Sequence, residues 1–430
     1  MVRILACADV HLGRRSAGLP ADLAASLTPA AAWERLVQRA VRERAMALVV
    51  CGDLVDESNA YFEALAPLER AAQALAAAGT ALVVIAGNHD WEVLERLAAS
   101  SSLPIHVLGR GGRWSHLDLA GPAGERLRLF GWSYPERAVT ASPLAAFPVE
   151  DVLPGAVNLA LLHADLEARG GRYCPVSRAA LTALPVDGWL LGHRHLPSAA
   201  PAPGAGPFVL YAGSLQGLDT GPGERGSHGA WSIEAGPGGT RVDWLPLAAV
   251  QYDDLAISLD GVADSGALQS HLAEALRRHL AAARAVSPGL SCAVLRLCLR
   301  GRTALSRAAT AAQLAALQES PDVGGAVRCG VTSWSVRTLP PLDMALLRRS
   351  QTPLGAACRL WEDLAGEGPL GASAQRAVEA LQERLGAYAA RACPGLEASP
   401  PALALCRDLL SEQTERLIEA LVAQKEPRHG

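Results

Sequence analysis

Along residues 1–248, short apolar runs alternate with longer stretches in which apolar residues return every three or four positions. The runs are RILACADVH at 3–11, ALVVCGDLVD at 47–56, VVIAGNHDW at 83–91, LALLH at 159–163 and GWLLGHRH at 188–195. Between the early ones, AAWERLVQRAVRERA and FEALAPLERAAQALAAAG read as amphipathic helices. This alternation predicts an α/β fold of parallel β-α-β units, with ligands gathering where the strands end. Further strands are expected over Leu127 to Gly131, Phe208 to Ala212 and Gly229 to Glu234.

A second pattern begins near Gln251. It offers a strand (LAISL), a helix with leucines at 268, 272, 276 and 280, a strand (SCAVLRLCLRG), a helix near Ala311 to Gln318 and a strand near Ala326 to Trp334. Beyond Pro340 and Pro341 the pattern turns helical, with helices expected over 372–391 and 402–424 and the breaker CPGLEASPP between them. The predicted division is 1–250, 251–340 as a small α/β capping domain, and 341–430 as a helical region. In the last helix Leu403, Leu410, Leu417 and Leu421 form a seam that suits either a partner helix or the chain's own core.

The apolar runs share an unusual ending, because each passes directly into Asp or His. A single such turn is unremarkable, since Gly87 and Asn88 are ordinary residues for leaving a strand. Repetition at successive strand ends turns Asp9, His11, Asp53, Asn88, His89, His163, His193 and His195 into a candidate site. Two divalent cations held by two carboxylates, an amide oxygen and neutral imidazoles keep an excess of about +2 by addition of charges, so the site calls for an anion such as a phosphate. Mixed nitrogen and oxygen ligands suit Mn²⁺, Fe or Zn²⁺ better than Mg²⁺ and do not choose among the three; Mn²⁺ is the expected pair of ions.

Composition narrows the picture. With 430 residues, half of them hydrophobic, the chain exceeds one ordinary core. No apolar run has the length of a membrane span, and MVRILACADV lacks the pattern of a signal peptide, so a cytoplasmic protein with reduced cysteines is expected. The net charge of −4 excludes a globally basic nucleic-acid coat but not a local one. Lys425 is the sole lysine, so the arginine bias by itself says little about recognition.

The motifs D-V-H, G-D-L-V-D, G-N-H-D, the histidine of L-L-H and G-H-R-H resemble those of the calcineurin-like metallophosphoesterases. Within that superfamily, the spacing from LLHADLEARGGRYCPVSRAAL to GWLLGHRH, then YAGSLQG and GERGSHGAW, is similar to DNA repair exonucleases of the SbcD and YhaO type. The resemblance implies a β-sandwich flanked by helices and two metal ions. Asp9, His11 and His195 would hold one, Asn88, His163 and His193 the other, and Asp53 would bridge them. His89 would serve the leaving oxygen rather than a metal. The chain departs from its relatives at Asp56, where some carry histidine, and at Leu218 and Asp219, where related chains place an arginine.

Arg14, Arg15, Arg172 and Tyr173, with Arg169, are candidates for substrate contact, while His106, His116, His228, His271 and His279 match no ligand position. Three functions compete. The first is a metal-dependent DNA exonuclease or endonuclease working with a coiled-coil ATPase, with a homodimer as a further expectation from the resemblance. The second is a phosphodiesterase or phosphatase for small molecules, and the third is a non-catalytic scaffold. The completeness of the motif favours an enzyme.

Overall fold

The structure is a computed structural model describing residues 1–56, 60–100, 103–168, 170–202, 207–236, 239–321, 323–339, 341, 344–366, 369–392 and 402–425. Arg169 and the CPGLEASPP breaker lie outside the described residues. In chain order the first part runs β1 (Val2–Cys7), α1 (Pro29–Arg42), β2 (Ala47–Cys51), α2 (Ala60–Ala77), β3 (Ala81–Ile85), α3 (Trp91–Ser100), β4 (Ile105–Val107), β5 (Ser115–Ala120), β6 (Arg126–Trp132) and β7 (Val157–His163). Then come β8 (Asp165–Leu166), β9 (Pro175–Val176), α4 (Arg178–Thr182), β10 (Gly188–Gly192), β11 (Phe208–Tyr211), β12 (Gly229–Gly236) and β13 (Gly239–Pro246).

These strands form two sheets, ordered β13-β12-β1-β2-β3-β4 and β11-β10-β7-β6-β5. Strand alternation sends Ile4, Ala6, Val49 and Val83 of the first sheet inward against Leu129, Leu159, Leu161 and Leu190 of the second, closing a sandwich. The opposite face of the first sheet, through Leu5, Leu48, Val50 and Val84, packs against Trp33, Leu36, Leu68 and Leu75 of α1 and α2. Helix α1 starts where the pattern predicts. Thr28 Oγ1 accepts from the Ala31 N–H at 3.2 Å, Pro29 takes the first turn, and Ala32, Trp33, Leu36, Val37 and Ala40 bury one face.

Strict β-α-β alternation holds only for the first sheet, where β1 to β4 pair in parallel. In the second sheet the outer face is covered mainly by aromatic packing around Phe130, Phe147 and Trp189, so its strands follow one another with few helices. Strand β5 and strands β12 and β13 are antiparallel additions.

The chain continues through β14 (Val250–Ser258), α5 (Ser265–Val286), β15 (Cys292–Arg302), α6 (Arg307–Glu319) and β16 (Arg328–Leu339). The three strands form a sheet in the order β14-β15-β16. Leu268, Leu272, Leu276 and Leu280 of α5 are buried at their helical spacing. Four helices follow, α7 (Met344–Leu347), α8 (Pro353–Ala365), α9 (Ala372–Ala392) and α10 (Leu403–Lys425). Of these, α8 and the short α7 are new relative to the sequence pattern, α8 being opened by Thr352 as cap and Pro353 in the first turn.

Two compact units emerge. One comprises residues 1–257, 265–299 and 308–336, and the other residues 258–264, 300–307 and 337–430. In the second unit, α10 buries Cys406, Thr414 and Ile418 and half-buries Leu410 and Leu421, whereas Leu403 and Leu417 are exposed. The buried stripe therefore shares Leu410 and Leu421 with the predicted seam but turns the other two leucines outward. Among the described residues no helix is long and apolar enough to cross a membrane, and the cysteines are free thiols.

Candidate metal centre

Parallel strands β1, β2 and β3 deliver their last residues to one edge of the sandwich, and β7 and β10 bring theirs to the same place. The Asp9 N–H donates to the Gly52 carbonyl at 3.0 Å and the His11 N–H to the Asp53 carbonyl at 3.0 Å, locking the first two loops together. The backbone there is costly. Asp9, His11 and Asp53 sit at φ near 50° and His193 at 93°, a region that L-residues seldom adopt and that clusters at functional sites.

Asp9, His11 and His195 place their ligand atoms within 4.8 Å of one another, as do Asp9, Asp53 and His163. His163 Nε2 lies 3.0 Å from Asn88 Oδ1 and 3.3 Å from Asp53 Oδ2, while its Nδ1 is 3.0 Å from the Cys51 carbonyl. With the Nδ1 proton given to that carbonyl, the Nε2 lone pair faces two further acceptors. His11 Nε2 and His195 Nε2 likewise face each other at 3.3 Å. In the tautomers that leave the Nε2 atoms of His163, His11 and His195 unprotonated, these lone pairs converge in a buried cleft as a cation requires, so the donor set fits the two metal ions that the motif implies. Asp9, Asp53 and Asn88 supply the oxygens, and the histidines the nitrogens.

His193 joins this cluster from the side. Its backbone N–H reaches both Asp9 carboxylate oxygens at 3.2 Å, and its ring lies 5.3 Å from that of His163. His89 donates its backbone N–H to Asp53 Oδ1 at 2.9 Å, which sets its ring edge-on to His11 with centroids 5.0 Å apart. The electrostatics follow from this crowding. Burial, with the charge of a protonated His163, pushes His193 down to about 4, whereas at His163 the Asp53 and Asp9 carboxylates and the Cys51 carbonyl together outweigh burial and push it up to about 9, so a bound cation would take the place of the His163 Nε2 proton. Asp53, despite burial, is held well below the usual carboxylate range by His163, while burial pushes Asp9 up.

Of the substrate candidates, Tyr173 comes closest, its ring tilted against His193 at 4.8 Å. The Arg14 side chain lies 3.3 Å from Asp219, the residue that stands near the position of a relative's arginine. Arg15 is largely exposed and 4.0 Å from Glu63, and Arg172 is exposed. His228 is buried against Ser214 Oγ at 2.8 Å and His279 pairs with Asp253 at 2.9 Å, in keeping with structural roles.

Two contributors, Asp90 and Glu224, escaped the sequence pattern, and Asp56 was marked there only as a departure from relatives. Asp90 is fully buried and accepts from the Gly87 N–H at 2.8 Å, the Leu54 N–H at 2.7 Å and the Val55 N–H at 3.3 Å, tying the Asp53 loop to the Asn88 loop. Burial, with the Asp53 charge, pushes Asp90 up to about 7. Asp56 Oδ2 sits 3.1 Å from His11 Nδ1, out of line for a hydrogen bond but close enough to pair with it, so its bonding reaches a site histidine. Glu224 contacts His195 Nδ1 through Oε1. Asp90 was legible only as the residue after G-N-H, and Glu224 only as one acid in a glycine-rich segment.

Known proteins share parts of this chain's sequence and fold. The curated metallophosphoesterase YhaO of Bacillus subtilis, described as uncharacterized, is 28% identical over 217 residues, covering 49% of this chain and 52% of that protein. The chain thus spans about half the length of that curated relative. Similar solved structures include a dimetal phosphatase from Danio rerio, at 14% identity and a TM-score of 0.34, covering 54% of this chain and 92% of that one. TT1561 of Thermus thermophilus matches at 14% identity and a TM-score of 0.35, covering 56% of this chain and 98% of that one. The family model for calcineurin-like phosphoesterases matches residues 2–197, the stretch that carries every candidate ligand, and this part of the chain is a calcineurin-like metallophosphoesterase domain.

Proposed function

We propose that the protein is a two-metal-dependent phosphodiester hydrolase acting on DNA. The observation that carries the hydrolase reading is the convergence of Asp9, His11 and His195 beside Asp53, His163 and Asn88, with His89 held next to them through its backbone. Bound divalent cations would supply Lewis acidity and charge neutralisation at the phosphoryl oxygens. The chain does the rest. Asp9 and Asp53 balance the cationic charge, the loops hold the ligands in one geometry, and the His89 imidazole gives a proton to the leaving oxygen. Tyr173 offers a ring face to a substrate base beside His193.

The DNA reading rests on the SbcD- and YhaO-like spacing and on the α/β sheet that follows residue 250. A coiled-coil ATPase as partner, a dimer and Mn²⁺ as the native metal belong to the same proposal. A second reading, hydrolysis of a small-molecule phosphodiester, is favoured by a specific observation: Arg14 and Arg15 both face acids, Asp219 and Glu63, which lowers their value as phosphate clamps.

An activated ester and DNA separate the two. Bis-p-nitrophenyl phosphate should be cleaved with Mn²⁺ under either reading, because so good a leaving group needs little beyond positioning and charge. Degradation of linear DNA, falling as salt rises, is expected if the substrate is DNA. Cleavage of the ester with single- and double-stranded DNA left intact at low salt, with a candidate ATPase present, would replace the nuclease by the small-molecule enzyme.

A further inference from the structure

His195 closes the first metal set, yet the strand that leads to it ends at Gly192. What holds it comes from outside the matched domain. His195 Nδ1 meets Glu224 Oε1, and the other Glu224 oxygen accepts from the Leu218 N–H at 2.9 Å, so both oxygens of this buried carboxylate are committed. A ring whose Nδ1 proton points at a carboxylate must turn its Nε2 lone pair the other way, towards His11 Nε2 at 3.3 Å and Asp9 Oδ1 at 4.0 Å.

The segment bearing Glu224 is itself fastened to β14. Arg225 pairs with Asp254 at 2.7 Å and forms an isolated bridge with Tyr252, and the Gly226 N–H donates to the Tyr252 carbonyl at 3.0 Å. The Tyr252 hydroxyl donates to the Ala17 carbonyl at 2.7 Å and lies 3.2 Å from the Leu218 carbonyl, gripping the same loop whose N–H holds Glu224. Asp254 is braced in turn by Arg296 of β15, at 2.6 and 2.9 Å.

We infer that Glu224 is the positioning residue of His195, and that through Glu224 and Tyr252 the three-stranded sheet sets the geometry of the metal centre. The sheet would then be part of the centre's construction as well as an accessory to the substrate. The inference rests on the two-metal reading above, since His195 must be a ligand for its orientation to matter. A carboxylate behind a ligating imidazole fixes the tautomer and raises the basicity of the coordinating nitrogen, and its removal costs tenfold to a hundredfold in metal affinity in comparable sites.

The test uses the full chain, stripped with a chelator and titrated with Mn²⁺ alone by calorimetry. The wild type is expected to take two ions, and a wild type that takes none overturns the two-metal reading together with this inference. In Glu224→Ala one of the two ions should weaken by about tenfold to a hundredfold while the other is unchanged. Glu224→Gln should fall between, because its amide oxygen can still accept from His195 Nδ1 while its NH₂ meets the Leu218 N–H. In a His195→Ala background, adding Glu224→Ala should change nothing further, because the ring it positions is gone.

The signature that a mere loop anchor would not move is spectroscopic. With Zn²⁺ bound, ¹⁵N-histidine spectra of the wild type should show a slowly exchanging proton on His195 Nδ1, lost in Glu224→Ala. Should Glu224→Ala fail to fold, the wild-type spectrum and Glu224→Gln decide the matter. A His195 protonated at Nε2, wild-type affinity for both ions in a folded Glu224 variant, or an undiminished Glu224 effect in the His195→Ala background overturns the inference. Tyr252→Phe should weaken the same ion several-fold, and an unchanged affinity there overturns the link to the sheet.

Discussion

The edge of the sandwich that carries the candidate ligands and the helices over 353–425 are built on opposite terms. At the edge, Asp9, His11, Asp53 and His193 hold left-handed backbone, and Asp9, His11, Asp53, Asn88, Asp90 and His163 are buried polar groups. Among the described residues past Gly325, no positive φ is recorded, and the helices bury Leu354, Cys358, Leu364 and Ile418 with little polar company beyond Thr414. The first region accepts strain and desolvation so that charges can converge, and those costs are met by the apolar sheets beneath it. The second has only packing to satisfy. A substitution should therefore fail through geometry and charge in one region and through lost volume in the other.

Gly192→Ala presses this hardest. An added Cβ would sit 1.9 Å from the Cys51 carbonyl oxygen and 2.6 Å from His163 Nδ1, so the β7–β10 edge must move. Loss of both ions, or of the folded protein, is the expected result of a Mn²⁺ titration and a melt. Two bound ions with an unshifted Tm would show the edge to be far softer than its backbone suggests.

A sharper division lies within the site. His89→Asn should keep both ions and lose about 10²–10⁴ in turnover of bis-p-nitrophenyl phosphate, as removal of a proton donor does. His193→Ala should lower metal affinity itself. Elemental analysis alongside the rate separates the two, and matching metal loss in both variants would remove the role given to His89.

Asp90→Ala would leave the Gly87, Leu54 and Val55 N–H groups without their acceptor, at a cost of about 3 kcal/mol or more in a denaturant melt. Within α10 the contrast narrows to neighbours. Ile418→Ala should cost about 2–5 kcal/mol, since its side chain is 3% exposed. Leu417→Ala, at 50% exposure, should stay within about 0.5 kcal/mol. Equal effects would mean that the helix turns a different face to its core.

The strand ends were readable because ligand chemistry needs particular side chains at the last residues of parallel strands, and a period of two makes such strands visible. Helices α1, α2, α5, α9 and α10 were readable for the matching reason, a recurring apolar face. Helices α7 and α8 were not singled out, and of the four seam leucines of α10 the helices' own cores take up Leu410 and Leu421 while Leu403 and Leu417 stay exposed. Spacings of seven also describe a coiled-coil seam, so the pattern could not choose between a partner and the helix's own bundle.

What the sequence determined by itself is the inventory of the centre: which carboxylates and imidazoles stand at strand ends, and in what order. Their conformation was decided elsewhere. That His163 gives one nitrogen to Cys51, that Asp90 ties two ligand loops through backbone N–H groups, and that Glu224 reaches His195 across 29 positions of chain are facts of tertiary structure. A hydrogen bond between distant residues leaves no periodicity in the chain that makes it. Local spacing records which face a residue shares with its neighbours, and only the packing of one sheet on another decides which atoms finally meet.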